Sequence, residues 1–90
     1  MITLKSAHEI ELMRRAGKIT AAARAVARDM VKPGVTTQQI DKAVYKFITE
    51  QGATPSFLHY NGYPASVCVS VNDEIIHGIP GKRVLQEGDI

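Results

Sequence analysis

The hydrophobic period of this chain changes once, after Gly52, and that change restricts the fold to helices first and extended segments second. Before it, apolar residues recur at helical spacing. Ser6-Ala7-His8-Glu9 has the form of a capping box, in which the Ser hydroxyl accepts from the Glu9 amide and the carboxylate reaches back. A helix is predicted from there to about Val31. Leu12, Ala16, Ile19, Ala23, Val26, Ala27 and Met30 share one arc of that helix, and Arg14, Lys18, Arg24 and Arg28 share the opposite arc. The small residues of the apolar stripe permit close packing against a neighbour. Pro33-Gly34 ends the helix. Thr36-Thr37-Gln38-Gln39 offers a second cap, Ile40, Ala43, Val44, Phe47 and Ile48 continue at helical spacing, and Gly52 suits a left-handed residue just past the end.

Beyond Gly52 the period is two. Ser66-Val67-Cys68-Val69-Ser70-Val71 alternates strictly, with Val on one face and Ser or Cys on the other, and reads as a strand. Asn72-Asp73-Glu74 reads as a turn and Ile75-Ile76-His77 as a second short strand, broken by Gly78 and Pro80. The expectation is an α/β (α+β) fold: two helices followed by an antiparallel β-hairpin. Gln86-Glu87-Gly88-Asp89 is a further turn, and Ile90 reads as the first residue of another strand. Residues 1–90 are therefore expected to be a single partial domain that continues beyond Ile90.

Charge and cysteine content exclude some classes. The net charge of +2 is too small to imply nucleic-acid binding by itself. Residues 1–32 carry seven Lys or Arg against three Asp or Glu, whereas residues 33–90 carry four against six. The basic first helix reads as a solvated face, with contact to phosphate or an acidic partner as the functional alternative. A lone cysteine, Cys68, cannot form an intramolecular disulfide and suits a reducing compartment. The opening residues lack the apolar run of a secretory signal, and no stretch is long and apolar enough to span a membrane. The expected location is the cytoplasm.

Few residues could carry chemistry. His8, His59 and His77 are not spaced as metal ligands, and Asp73 and Glu74 would point apart on a strand, so no metal site is expected within the chain. Ser66 and Ser70 lack the strained turn of a nucleophile, Cys68 would need a helix N-terminus or a nearby cation to activate it and in mid-strand reads as packed and inert, and Gly78-Ile79-Pro80-Gly81 lacks phosphate-loop spacing. His77 can supply a donor or a proton near neutral pH, and Gly78 after it allows close approach of a backbone or substrate. Tyr60 and Tyr63 flank the turn signal Asn61-Gly62, which can bring both rings to one side beside Cys68. Such a wall suits an unbranched apolar side chain.

Read as one string, Tyr60-Asn61-Gly62-Tyr63-Pro64-Ala65-Ser66-Val67-Cys68-Val69-Ser70-Val71-Asn72, continuing through Asp73 and Glu74 to Ile75-Ile76-His77-Gly78-Ile79-Pro80, closely resembles type I methionine aminopeptidases. Ile10-Glu11-Leu12-Met13-Arg14-Arg15-Ala16-Gly17 and Val31-Lys32-Pro33-Gly34-Val35-Thr36-Thr37 resemble the same family. The resemblance implies the N-terminal part of the pita-bread aminopeptidase fold. It implies a metallo-exopeptidase that removes the initiator methionine of nascent polypeptides, monomeric at full length. That enzyme uses two divalent metal ions (Co, Mn, Fe or Zn). By the resemblance His77 is the active-site histidine near the scissile amide nitrogen, and Tyr60, Tyr63 and Cys68 line the methionine pocket with Phe57 at its edge. Asn72 and the backbone at Glu74 match a loop that holds a monovalent cation in some members. His59 stands where many members carry Gly. The metal-binding residues are expected beyond Ile90, so the ninety residues alone are expected to be inactive, to hold no metal and to expose apolar surface. Two other classes fit the same sequence: a non-catalytic pita-bread module binding peptide or protein, and a small module docking on RNA or the ribosome through its basic helix.

Overall fold

The computed structural model describes residues 1–90. Helix α1 spans Ala7–Met30 and helix α2 spans Thr37–Glu50. Both start with a complete capping box. The Ser6 hydroxyl accepts from the Glu9 amide while the Glu9 carboxylate accepts from the Ser6 amide, and Thr36 and Gln39 repeat the arrangement at α2. The paired bonds with Ser6 also hold the Glu9 carboxyl below its usual range. Gly52, at φ +76°, turns the chain out of α2 in the left-handed conformation.

The core lies where the C-terminal half of α1 meets α2 and the later extended chain. Ala23, Ile40, Val44, Val71 and Leu85 are buried together, with Ala27, Met30, Phe47, Ile48, Val67 and Val69 packed at the edge. The apolar arc of α1 is used only in part. Ile19, Val26, Ala27 and Met30 are half-buried, but Leu12 and Ala16 are exposed. Length explains this. At about 1.5 Å of rise per residue, the 14 residues of α2 can back little more than half of the 24 in α1.

The predicted hairpin does not form, and no β-ladder is present. The reason is where the backbone amides go. The Ser66 and Val67 amides donate to Asp41 Oδ1, at 2.7 and 3.1 Å, and the Val71 amide donates to Glu74 Oε1. One backbone bond, Val69 N–H to the Gly78 carbonyl at 2.8 Å, joins the two segments. The Gly78 amide donates to the Ser70 hydroxyl rather than to a carbonyl. Ile76 and His77, at φ +50° and +57°, lie in the left-handed region, where no strand can continue. The regular antiparallel contact is instead an isolated bridge between Thr36 and Val84, flanked by bonds from Gly34 and Leu85. The turn at residues 72–74 forms, and the Asn72 carboxamide ties it to the 86–90 segment through Asp89 and the Ile90 amide. No helix is long and apolar enough to cross a membrane.

Candidate functional site

Between α2 and the Val69–Gly78 contact the chain makes a tight loop. Tyr60–Gly62 forms a single 3-10 turn, entered through His59 at φ +67° and passed through Asn61 at φ +47°. The His59 amide donates to the Tyr63 carbonyl at 2.8 Å and closes the loop. A non-glycine residue in this region carries a backbone cost of about 1–2 kcal/mol, a conformation that glycine would adopt without that cost.

This loop brings the sequence-predicted residues together. Phe57, Tyr60, Tyr63, Cys68 and His77 all line one open cleft of about 480 Å³, and Ile79 adds an apolar side chain to it. The rings of Phe57 and Tyr63 meet edge to face, with centroids 6.2 Å apart and planes at 72°, a favourable aromatic geometry. Tyr63 is half-buried, and its hydroxyl faces two carbonyls, donating to Val67 at 2.9 Å with Gly78 at 3.3 Å. The phenol therefore bridges the segment bearing Cys68 and the segment following His77. Burial, then the adjacent Cys68 thiol and the Asp41 charge, push its pKa up to about 12. The phenol is neutral and a donor at any physiological pH.

His77 sits at the rim, with an exposed side chain. Two consecutive left-handed residues, one of them the β-branched Ile76, place it there. Such conformations cost on the order of 1–3 kcal/mol each and persist where the surroundings over-determine them. The surroundings here are Gly78 and its neighbours. Gly78 is buried, both its backbone groups are bonded, and a Cβ on it would overlap the Val69 carbonyl oxygen. The close approach that a glycine permits is to the chain's own backbone.

No three His, Cys, Asp or Glu side chains converge closely enough to hold a metal ion, so the residues present do not fit a divalent metal centre. Asp73 and Glu74 do not form a pair: Glu74 accepts from Arg83 at 3.0 Å and from the Val71 amide. Asn72 uses both polar atoms of its side chain within the chain, to Asp89 and Ile90, and that bond holds the Asp89 carboxyl below its usual range. Three residues escaped the sequence reading. Asp41 carried no signal, because a polar residue on a surface helix reads as solvated, and Thr37 read only as part of the cap before α2. Ile79 sits in a string whose other members drew the attention.

Residues 11–90 match the model of metallopeptidase family M24. The chain belongs to this family. Methionine aminopeptidase 1 of Bacillus subtilis is 49% identical over 90 residues, covering all of this chain and 36% of that protein. The crystal structure of methionine aminopeptidase from Rickettsia prowazekii matches 99% of this chain and 36% of its own with a TM-score of 0.95 at 39% identity. The methionine aminopeptidase of Thermotoga maritima matches over the same shares with a TM-score of 0.90 at 42% identity. This M24 chain thus spans about a third of the length of the relatives it matches. Its path is that of the corresponding part of the pita-bread fold, although the hairpin ladder expected from the sequence is not formed.

Proposed function

We propose that this M24 chain forms the substrate-gripping wall of a cytoplasmic aminopeptidase that removes N-terminal methionine from nascent polypeptides. The observation that carries this reading is the convergence of Phe57, Tyr60, Tyr63 and Cys68 on one cleft with His77 at its rim. The similarity to proteins named methionine aminopeptidase supports it. The volume lies in the range of small-molecule sites, and an open mouth leaves room for the rest of a peptide.

The chemistry of the wall suits a thioether. Sulfur is polarisable and gains about 0.3–1.5 kcal/mol against an aromatic ring edge. Tyr63 is oriented by its bond to Val67, so its ring presents a fixed face. Cys68 is small enough to leave depth for an unbranched side chain. Discrimination against a side chain one methylene different amounts to about 1–3 kcal/mol. His77 is assigned to the scissile amide, where an imidazole can donate to developing charge and steer the leaving amine. The family's divalent ions belong, in this reading, to residues outside these ninety.

The test is release of Met from Met-Ala-Ser by the enzyme carrying this chain, with Co²⁺ or Mn²⁺ supplied. The expected result is turnover that His77→Ala lowers by about 10²–10³-fold while bound metal is unchanged. No release of Met under any metal overturns the function, and parallel loss of metal and turnover overturns the role of His77.

A further inference from the structure

We infer that α2 is the spacer of the cleft: Thr37 and Asp41 are positioning residues that hold its two walls at a set separation. The two side chains are one helical turn apart, about 6 Å along the axis, and each grips a different segment. The Thr37 hydroxyl accepts from the Gly81 amide at 2.8 Å and faces the Gly81 carbonyl at 3.2 Å. The Gln38 amide donates to the same carbonyl, and the Thr37 amide to that of Arg83. Gly81 ends the run Gly78-Ile79-Pro80-Gly81 that follows His77, and Pro80 stiffens it. Asp41 Oδ1 accepts both the Ser66 and Val67 amides, directly before Cys68.

The grips are of unequal kind and hold different things. Asp41 offers a carboxylate to two successive amides, a charge-assisted clamp on the wall carrying Cys68. Thr37 is buried, and its hydroxyl serves both backbone groups of one residue on the rim side. Tyr63 closes the frame, because its hydroxyl lies between the Val67 and Gly78 carbonyls. The separation of the Cys68 wall from the His77 rim is therefore set by α2, the most regular element within reach of both. This deepens the functional reading above, since cleft width is what would select methionine, but the geometry stands without any activity.

Cys68, the lone cysteine, reports its own wall. In the ninety-residue chain, Asp41→Ala is expected to speed the reaction of Cys68 with Ellman's reagent at least tenfold. Asp41→Asn should stay within about threefold of the parent, because an amide oxygen can also accept two N–H groups. Thr37→Val should leave the thiol rate unchanged and shift the His77 ring resonances, with Thr37→Ser restoring them. Helical circular dichroism checks that each variant is folded. For the unaltered chain, hydrogen exchange at the Ser66 and Val67 amides is expected to be at least tenfold slower than at Cys68, so the test survives a variant that fails to fold. In the enzyme carrying this chain, Asp41→Ala should raise KM with little change in kcat, and Thr37→Val should do the reverse. An unchanged thiol rate in Asp41→Ala, both probes moving together in either variant, or fast exchange at Ser66 and Val67 overturns the spacer. Failure to release Met with these probes behaving as expected overturns the functional reading alone.

Discussion

Replacing Gly78 by Ala isolates a purely steric constraint. Gly78 is not in the left-handed region, so alanine meets no conformational penalty there and gains about 0.4–1 kcal/mol from a less flexible unfolded chain. The obstacle is space. The added Cβ would overlap the Val69 carbonyl oxygen, lie 2.8 Å from the Val69 carbonyl carbon and touch Glu74 Oε2 at 3.0 Å. Backbone cannot swing aside as a side-chain tip can, so the two segments must separate. Separation breaks the bond from Val69 N–H to the Gly78 carbonyl and the bond from Gly78 N–H to the Ser70 hydroxyl, about 0.5–1.5 kcal/mol each. Overpacking adds about 1–3 kcal/mol. The net loss is about 1–6 kcal/mol, a large share of the roughly 5–13 kcal/mol available to a chain of this length. Gly62→Ala is the control. Gly62 has φ +81° with nothing within 4 Å of an added Cβ, so its cost is conformational only, about 1–2 kcal/mol. Urea unfolding followed at 222 nm, with slopes of about 1–3 kcal/mol/M, separates the two. The Gly78→Ala midpoint should fall by at least twice the Gly62→Ala shift. A Gly78→Ala midpoint equal to or above that of Gly62→Ala refutes the steric argument.

Alkaline pH should weaken the fold through Tyr63. Its folded pKa of about 12 exceeds the 10.0 of a free phenol, so its contribution is complete below pH 10 and is lost as pH rises to 12. Tyr63→Phe should show a shallower fall in urea midpoint over that window, and identical falls would refute the assignment. His59→Gly relieves a left-handed backbone at φ +67° worth about 1–2 kcal/mol, offset by about 0.4–1 kcal/mol of added unfolded-state freedom. The variant should melt a few degrees higher, and a lower melting temperature would show that the His59 ring contributes contacts that outweigh the strain.

The helices were legible because their signals are local. Ser6 with Glu9 and Thr36 with Gln39 each close a box within three residues, and Pro33-Gly34 stops α1 whatever lies elsewhere. The convergence of Tyr60, Tyr63, Cys68 and His77 was legible through a string resemblance, with the Asn61-Gly62 turn as its one local physical cue. The hairpin was misread for a definite reason. Strict alternation over residues 66–71 shows that side chains take opposite sides, but not which acceptor each amide will find. Asp41, 25 residues away from Ser66, and Glu74 supply acceptors that a ladder would have drawn from a neighbouring strand.

What the amino-acid order determined unaided is therefore the pair of capped helices and the break between them, whereas Tyr60, Tyr63, Cys68 and His77 were singled out through the family string and Ile79 was not. What the tertiary structure alone decided is how the cleft is held. The left-handed pair Ile76-His77, the backbone contact that demands Gly78, and the grips of Thr37 and Asp41 all depend on chain segments brought together from far apart. Local propensity acts over a helical turn, whereas a backbone amide satisfies itself with whichever acceptor packing delivers, and only the folded chain names that acceptor.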